Sequence, residues 1–317
     1  MASPRSGKSR SPKTSTSTPS PSTLTISTDA PRQGDEIFSI TMEEASAFAS
    51  LLKYLSSVNT HIPIEVNSEG IFIHQGAAAT TGKRKGGRGA AAKKYNDGGS
   101  PVLNVCHISS GEVCQWHCKG LPGPDDTHVI MVDGTKLQRN IASSKTKQPL
   151  RLYAREGDNV LRYAITDSDD AAIQLYVDTT NHAEAEYEFS EENRVATTTA
   201  DALQQYCAMT ASMDVGQRII VTIYEGGLTL TAKTYGLSDS RAKTFGTPDK
   251  TKPALDSFTV SLDVWKHLND KANRISYPKA VVKFYAKRSD SGVGVLRIVL
   301  KVASYGELSI YIDGQDE

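Results

Sequence analysis

EEASAFASLLKYLSSVNTHIPIEVNSEGIFI, residues 43–73, decides the fold of this chain because the same pattern is written a second time. The second copy, ADALQQYCAMTASMDVGQRIIVTIYEGGLTL at residues 200–230, has the same length and follows at an offset of 157 residues without a gap. Each copy predicts a helix, a short polar break, an apolar strand, a Glu/Gly turn and a second strand. Few residues are identical but the order agrees, so the sequence predicts an internal duplication.

A second pair of segments extends the repeat toward the end of each copy. VIMVDGTKLQRNIA at residues 129–142 matches TVSLDVWKHLNDKA at residues 259–272, so that Asp133 aligns with Asp263. An aspartate at the end of a β-rich run can accept hydrogen bonds from the free amides of a following helix. Both segments therefore predict a strand, an aspartate cap and a helix.

A third pair closes each half with alternating apolar and polar residues, the period of half-buried antiparallel strands. Residues 150–178 parallel residues 282–313, and the alignment pairs Tyr176 with Tyr311. Each half then reads as strand, helix, two strands, a variable middle, strand, helix and three strands. This order predicts an α+β fold of two topologically equivalent domains, each with two helices packed on antiparallel sheets.

Composition along the chain predicts where the domains begin and end. Residues 1–34 are rich in Ser, Thr and Pro with scattered Arg and Lys, which is typical of a disordered basic tail. The first domain spans residues 35–178 and contains an inserted loop at 77–99, whose Ala, Gly and Lys content is typical of a flexible connection. An acidic connector at 179–193 leads to the second domain, residues 194–317.

Overall composition limits the class of protein. The 317 residues are 38% hydrophobic, enough for real cores, and 36 basic residues balance 36 acidic ones. A net charge of zero leaves nucleic-acid binding open, because the local distribution of charge decides it. No stretch approaches the roughly 18 apolar residues of a membrane helix, and no secretory signal is recognised. The four cysteines are therefore expected to be reduced thiols of an intracellular protein.

Motifs that would indicate an enzyme are weak. GAAATTGK at residues 76–83 has five residues between its glycines where a phosphate-binding loop has four. The cysteines and histidines from Cys106 to Cys118 lack a paired CxxC knuckle and alternate across a strand, so no zinc site is expected. The acidic residues 167–170 fit a hairpin turn. We predict no catalytic residues, no cofactor and no metal.

Two segments resemble the sliding clamp family of the proliferating cell nuclear antigen type. KVASYGELSIYID at residues 301–313 is similar to the closing strands of the eukaryotic clamp. LKYLSSVNTHIPIEVNSEGIFI at residues 52–73 is similar to its opening helix and hairpin. The resemblance covers residues 36–313 apart from the inserted loop. The tail and the insertion make the chain look more like a clamp of a large DNA virus than like a cellular one.

The resemblance implies a DNA polymerase processivity factor that catalyses no reaction. In this family two domains pack side by side and the chains close into a ring, usually a homotrimer, with helices lining the hole and strands forming the outer wall. The ring encircles double-stranded DNA and tethers the polymerase and other replication proteins through a short docking peptide. We expect a protein of the nucleus or of a viral replication compartment, without membrane association.

Cationic residues mark the surface expected to face DNA. Lys and Arg recur at spacings of three to five residues on the second helix of each half, broadly on one helical face, where they can contact phosphates without reading sequence. The inserted loop adds a basic cluster without interleaved aromatics, which favours phosphate contact over base stacking. The predicted DNA-binding residues are Lys53, Lys83, Arg84, Lys85, Arg88, Lys136, Arg139, Lys145, Lys147, Lys266, Lys271 and Arg274.

Other interpretations of these cations stay open. A charge run on a helix is commonly an ordinary solvated face. The resemblance places Lys136, Arg139 and Lys271 at lumen positions that are basic in the family. The inserted loop could also serve nuclear import or no function at all.

The partner-docking pocket is implied by the resemblance. The closing strand supplies two of its residues, the segment before the inserted loop a third, and the connector two that could form a lid. The alternative is that Tyr311 is simply an aromatic residue of the outer sheet. The predicted pocket residues are Gly76, Tyr187, Phe189, Tyr311 and Ile312, and Asp313 stands where the family has a small apolar residue.

Three other functions remain in competition. A clamp-fold processivity factor could bind DNA directly as a monomer or open dimer through its basic loops, and the basic cluster at 83–94 favours it. A checkpoint-type clamp would work within a hetero-oligomer. A β-rich nuclease would need clustered carboxylates for metal-dependent turnover, and the sequence shows no such cluster.

Overall fold

The computed structural model describes residues 36–77, 102–119, 127–142, 147–165, 171–176, 187–213, 218–233, 240–269 and 271–314. The first half contains nine strands and two helices in these residues. They are β1 (Glu36–Met42), α1 (Ala45–Val58), β2 (His61–Asn67), β3 (Gly70–Ala77), β4 (Val102–Ser109), β5 (Gln115–Cys118), β6 (His128–Asp133), α2 (Gly134–Ile141), β7 (Leu150–Arg155), β8 (Val160–Ile165) and β9 (Ala171–Tyr176).

The second half repeats this order after a single 3₁₀ turn at Glu191–Asn193, with two differences in its described residues. No strand corresponds to β5, and the last helical segment is broken in two. The elements are β10 (Arg194–Thr199), α3 (Ala200–Thr210), β11 (Arg218–Tyr224), β12 (Gly227–Lys233), β13 (Ser240–Gly246), β14 (Asp256–Ser261), α4 (Asp263–Leu268), α5 (Ala272–Ile275), β15 (Val281–Arg288), β16 (Gly294–Val302) and β17 (Gly306–Asp313).

The strands form one sheet of 13 and one of four members. The larger sheet runs in the order β10-β15-β16-β17-β4-β3-β2-β6-β9-β8-β7-β1-β5, and the smaller in the order β13-β12-β11-β14. Within the larger sheet, β4-β3-β2-β6 is the counterpart of the smaller sheet, and β1-β7-β8-β9 is the counterpart of β10-β15-β16-β17. The predicted α+β architecture is confirmed, because antiparallel strands dominate and the few helices pack against them.

Strand register confirms the duplication at the hairpins. Val66 pairs with Ile71 in the first half, and Ile223 pairs with Leu228 in the second, so both strands of the hairpin repeat at the predicted offset of 157. Gly70 sits at the first hairpin with φ of 146°, where an added Cβ would lie 2.0 Å from a backbone oxygen of β4. Only glycine fits this close approach.

The helices before these hairpins repeat at a different offset. The first core-facing residues of α1 are Ala45 and Phe48, and those of α3 are Ala200 and Leu203, all of them buried. The helices therefore correspond at an offset of 155, and two further residues lie between helix and hairpin in the second half. The gapless alignment was wrong over this stretch, because burial and not sequence length sets which helix face meets the core.

The alignment of the strands before the second helices was also wrong, by two residues. Ile62 pairs with Val132 in the first half, and the equivalent pair in the second half is Ile219 with Val260. These strands thus correspond at an offset of 128, whereas the aligned aspartates predicted 130.

The helices that follow these strands begin differently in the two halves. Asp133 accepts a hydrogen bond from the amide of Lys136 at 2.9 Å, as predicted for an aspartate cap. The equivalent position in the second half is Ser261, one residue before the N-cap Leu262, and its hydroxyl accepts from the amide of Asp263 at 3.2 Å. Asp263 is not the cap but the first residue of α4, where its charge suits the positive end of the helix.

The closing strands were misaligned by four residues. Arg297 of β16 pairs with Tyr311, while its counterpart Arg162 of β8 pairs with Ala172. Ala172 and not Tyr176 therefore occupies the position equivalent to Tyr311. A tyrosine in both segments suggested the wrong match.

The two halves are joined by strand pairing and by the helices. β17 pairs with β4 over seven residue pairs, 306–312 against 108–102, so the sheet passes from one half to the other without a break. At the start of α1, the carboxylate of Glu44 accepts from the hydroxyl of Tyr277 at 2.7 Å, and its carbonyl accepts from the hydroxyl of Tyr305 at 3.1 Å. From Asp35 onward the chain forms one unit, and the predicted domain boundaries stay predictions.

The core lies between the helices and the sheets in both halves. Its largest fully buried side chains include Trp265, Tyr54, Tyr206 and Phe48. Burying an apolar side chain of this size contributes about 2 kcal/mol. Among the described residues, no helix has the length and the apolar character needed to span a membrane.

Candidate DNA-facing helix layer and docking surface

The helices of both halves form one layer. α1 packs against α2 and also contacts α4 and α5 of the second half, while α3 contacts α4 and α5. We call the boundary between the halves, where β17 pairs with β4, the joint. The inner sides of these helices rest on core residues of the sheets, and their outer sides carry most of the described cations that were predicted to bind DNA. A single surface therefore collects residues from both halves.

Lys53 and Arg274 meet at a groove of about 540 Å³ in this layer, although they are far apart in the sequence. Both side chains are exposed, and the structure shows no ion pair for either within its described residues. Ala49 and Ser50 of α1 also line the groove, and their side chains are small. Glu44 also lines the groove, where its carboxylate accepts from the hydroxyl of Tyr277, and the two cations could bind a phosphate beside it.

The cations of α2 and of the chain after it are exposed. Arg139 points to solvent on α2, and Lys136 lies 3.7 Å from the carboxylate of Asp133. Because Lys136 is 61% exposed, this ion pair contributes little to stability and leaves the amine accessible. Lys147 is also exposed and has a backbone φ of 67°.

The second half presents its cations on a broken helix. Lys271 lies at the break between α4 and α5, and its amine donates to the carbonyl of His267. Lys266 is half-buried on α4, while Arg274 belongs to α5 and is exposed. A single helix with Lys266 and Lys271 on one face was thus a wrong expectation, and Arg274 is the most accessible of the three.

His267 adds no charge to this layer at neutral pH. Burial, followed by the nearby Lys271, lowers its pKa below the ordinary value, while Asp263 acts in the opposite direction. A histidine with a lowered pKa is neutral at pH 7.

Several predicted residues cannot be placed. The basic loop residues and one residue after α2 lie outside the described part of the chain, namely Lys83, Arg84, Lys85, Arg88 and Lys145. The same holds for the acidic turn at 167–170 and for most of the GAAATTGK segment.

The opposite face of the sheet carries a row of side chains across the joint. Gly76 pairs with Leu103, Leu103 with Tyr311, Tyr311 with Arg297, and Arg297 with Tyr285. Laterally paired residues of antiparallel strands share one face of the sheet. The guanidinium of Arg297 lies 5.2 Å from the ring centre of Tyr285 and 5.4 Å from that of Tyr311, within cation–π range.

Two connector residues cover this row. The ring of Tyr187 stacks on Tyr311 at 6.3 Å, and Phe189 lies 6.0 Å from Tyr311 and 6.3 Å from Tyr285. We call these four aromatic residues and Arg297 the aromatic cluster. The structure thus places Tyr187 and Phe189 over Tyr311, where a lid was predicted.

Glu191 fastens the connector beside the aromatic cluster. Its carboxylate accepts from the hydroxyl of Tyr285 at 2.7 Å and lies within ion-pair distance of Lys283 and Arg194. The hydrogen bond from Tyr285 lowers the pKa of Glu191, with smaller contributions from the two cations. The end of the connector is therefore held in a fixed place on the outer face.

Two predicted pocket residues stand apart from the aromatic cluster. Ile312 is fully buried among core residues, because successive side chains of a strand point to opposite faces and Tyr311 points outward. The prediction that both residues line the pocket is wrong for Ile312. Gly76 lies in the same row as Tyr311, two strands away, and contributes no side chain.

Sequence reasoning missed three residues of this surface, Leu103, Tyr285 and Arg297. A signal for the last two was present, since Tyr285 and Arg297 are matched in the repeat by Tyr153 and Arg162. Their meeting with Tyr311 depends on strand register, which the repeat alone does not give.

Within the described residues none of the four cysteines forms a disulfide, and two of them are buried. Burial raises the pKa of Cys106 to about 12, so this thiol stays protonated at neutral pH. In the described residues, no group of three or more His, Cys, Asp or Glu side chains is arranged to hold a metal ion.

Comparison with solved structures identifies the fold. The chain matches proliferating cellular nuclear antigen from Entamoeba histolytica with a TM-score of 0.65 and 12% identity, covering 88% of this chain and 99% of that one. The chain has the sliding-clamp fold. The clamp of Thermococcus kodakaraensis matches with a TM-score of 0.59 and 14% identity, covering 88% of this chain and 100% of that one.

A complex of two different PCNA chains matches as well. The PCNA2–PCNA3 complex from Sulfolobus tokodaii gives a TM-score of 0.61 and 12% identity, again over 88% of this chain and 100% of that one. No family model matches the sequence, and no curated protein matches it either. These structures share the fold at 12–14% sequence identity. Similarity at this level shows the fold and does not by itself show the function.

Proposed function

We propose that this chain is a sliding clamp that closes into a ring around duplex DNA and tethers a DNA polymerase and other replication proteins, without catalysing a reaction. The fold supports this proposal, and so does one observation on the strands. The joint inside the chain has a counterpart at its two ends. In the described residues β13 is unpaired on one side, and β9 pairs with β6 only at Leu175 and Tyr176.

Backbone groups show how the internal joint is made. Ser109 donates its amide to Tyr305, so Leu103, Val105 and His107 of β4 direct their amides and carbonyls toward β17 by the two-residue alternation of an antiparallel ladder. The joint therefore uses every second residue of β4.

The counterpart of β4 in the second half is β13. Thr247 donates its amide to Gly226, so the same alternation directs the amides and carbonyls of Ser240, Ala242 and Thr244 away from β12. No strand pairs with this edge in the described part of the chain. β13 thus presents the groups that β4 uses in the joint.

The counterpart of β17 is β9. Leu175 donates its amide to Asn159, so Ala172 and Gln174 of β9 direct their amides away from β8. Copying the internal register places Ala172 of one chain opposite Ser240 of a second copy. Because this contact joins two different edges, it repeats head to tail and closes a ring when the rotation allows. We infer three copies, which would give a ring of six halves.

The helix layer would then face the enclosed DNA. Its accessible cations are those of the groove, Lys53 and Arg274, with Arg139, Lys136 and Lys147 nearby in the first half. Contacts of this kind bind phosphates in any sequence and weaken as salt increases. A sequence-independent hold suits a protein that must slide.

The aromatic cluster on the outer face would receive the docking peptides of the polymerase and of other partners. It lies at the joint, next to the connector, and is built from aromatic residues and arginine, the residue types that dominate protein–protein contacts. A protein with this role would act in the nucleus or in a viral replication compartment.

Retention on circular and linear DNA tests the proposal. Chains separated in mild urea are dialysed together with a closed circular plasmid, which allows assembly around DNA without a loading enzyme, and are then passed over a sizing column. A ring stays with the circle and is lost when a restriction enzyme cuts the plasmid. Equal retention on circular and linear DNA would instead support a clamp-fold protein that binds directly through basic loops.

Charge reversal in the groove extends the same experiment. Lys53→Glu with Arg274→Glu is expected to shorten retention on the circle and to reduce the salt dependence by roughly two phosphate contacts. Lys233→Glu, a change of an exposed cation at the end of β12, is the control and should leave retention unchanged. Equal effects of both changes would mean that the groove does not face DNA.

A further inference from the structure

We propose that Tyr187 occupies the place of a partner's aromatic side chain, so that the docking surface is partly filled by the chain itself and accepts peptides with an aromatic residue beside a carboxylate. This inference rests on the proposed docking role of the aromatic cluster and adds the identity of what docks there and what it must displace.

Tyr187 lies where an aromatic side chain of a partner would contact Tyr311. Its ring is inclined by only 26° to the ring of Tyr311, which is the arrangement of a stacked pair. Tyr311 is buried to all but 7% of its surface. With its ring centre 6.3 Å from that of Tyr311, Tyr187 takes up space that an aromatic side chain of a partner would need beside this tyrosine.

The neighbouring lid residue is held more firmly. Phe189 contacts the rings of both Tyr285 and Tyr311, and the amine of Lys287 lies 5.1 Å from its ring centre. The amine of Lys287 also donates to the carbonyl of Glu188. These contacts keep the connector attached at Glu188 and Phe189, so a displacement of Tyr187 does not require Phe189 to leave.

The chain next to Phe189 is locked by its own hydrogen bonds. Ser190 and Asn193 form a capping box around the 3₁₀ turn, with the amide of Ser190 donating to the side chain of Asn193 at 3.0 Å. Together with the ion pairs of Glu191, the turn fixes the end of the connector. Tyr187 precedes these anchoring residues in the sequence.

Arg297 supplies the preference for a carboxylate. Its guanidinium donates to the hydroxyl of Ser309 at 3.0 Å, and the carboxylate of Glu307 lies 3.8 Å away, beyond hydrogen-bond distance. A closer carboxylate would form a charge-assisted hydrogen bond with an arginine that two tyrosines flank. The connector itself carries this combination, since Glu188 separates Tyr187 from Phe189.

The test uses a fluorescein-labelled peptide that copies residues 184–192, EAEYEFSEE, and measures its binding to the full chain by fluorescence anisotropy. Replacing Tyr187 by alanine removes one stacked aromatic pair, so the Tyr187→Ala chain should bind the peptide about two- to tenfold more tightly than the unchanged chain. Tyr311→Ala should abolish binding, and Arg297→Gln should weaken it severalfold.

Two controls separate aromatic contact from charge. The peptide EAEAEASEE has the same charge and should not bind, and QAQYQFSQQ should bind more weakly than the acidic peptide. Phe72→Ala, which removes a partly exposed aromatic residue stacked on His107 elsewhere on the sheet, should leave binding unchanged.

The outcomes distinguish the inference from the function on which it rests. If Tyr187→Ala binds no more tightly than the unchanged chain while Tyr311→Ala still loses binding, the surface docks peptides but Tyr187 does not compete, and the inference is wrong. If no chain binds the acidic peptide, or if Tyr311→Ala binds as well as the others, the aromatic cluster is not a docking surface.

Discussion

β4 and β13 hold equivalent places in the two halves, yet their surroundings differ. β4 is paired on both sides, by β3 and by β17, whereas β13 is paired on one side in the described structure. Their core-facing residues differ accordingly: β4 has the fully buried Asn104 and Cys106, and β13 has the half-buried Arg241 and Lys243 at the same positions.

The difference shows how an edge strand that has no partner within the chain is protected from unspecific pairing. Inward-pointing charges on an edge strand discourage random pairing with other strands. The guanidinium of Arg241 already donates to the carbonyl of Met209 and to the hydroxyl of Ser212, so a complementary strand could pair with this edge without leaving that charge unsatisfied. We interpret β4 as a strand whose pairing is completed within the chain, and β13 as its counterpart that pairs with a second copy.

A matched pair of proline substitutions gives the largest expected effect. Val105 and Ala242 are equivalent, and each directs its amide away from the preceding hairpin strand. Val105→Pro removes an amide that bonds to β17 in the middle of a sheet and should cost about 3 kcal/mol or more of unfolding free energy. Urea unfolding followed by circular dichroism measures the loss.

The second member of the pair should leave the fold intact. Ala242→Pro removes an amide that points to the open edge, where proline is tolerated, so the unfolding free energy of the single chain should change by less than about 1 kcal/mol. Assembly should nevertheless fail, because the ladder with a second copy loses a donor and meets the proline ring. Equal destabilisation by both prolines would contradict the comparison.

Another contrast between the halves predicts a smaller, pH-dependent effect. α2 is continuous, while its counterpart is broken into α4 and α5 beside His267. The pKa of His267 is lowered, chiefly by burial, so the unfolded chain binds more protons than the folded one below about pH 6.5. Stability should therefore fall as the pH decreases from 7.5 to 5.5.

The substitution His267→Gln isolates this contribution. The pH dependence of the unfolding free energy over the same range should become shallower in the variant, by less than the effect of Val105→Pro. An identical pH dependence in both proteins would show that His267 does not titrate differently in the folded chain.

Much of the fold could be predicted because duplication leaves a pattern that single propensities do not. The hairpins at Gly70 and Gly227 repeat at the predicted offset since a tight turn between two strands fixes both of them. The misalignments came from matching residue types: Asp133 was matched to Asp263, and Tyr176 to Tyr311. Register depends on which residues pair across strands, and a slip preserves the apolar pattern when it is even.

The candidate site was harder to predict for the same reason. Lys53 and Arg274 were named separately, and their meeting at one groove follows from the contact between α1 and α5 across the joint. Arg297 matches Arg162 in the repeat, but this match does not indicate that Arg297 belongs to the docking surface. Contacts between residues so distant in sequence depend on the assembled sheet, which local patterns do not determine.

The mass of the assembly in solution tests the central claim most directly, namely that the first part of β9, before its pairing with β6, pairs with the open edge of β13 in a second copy as β17 and β4 pair within one chain. Sedimentation equilibrium or light scattering at micromolar concentration should give three times the 34.3 kDa chain mass for the unchanged protein. The Ala242→Pro chain should give a single chain mass. An unchanged protein that sediments as one chain at every concentration would contradict the account.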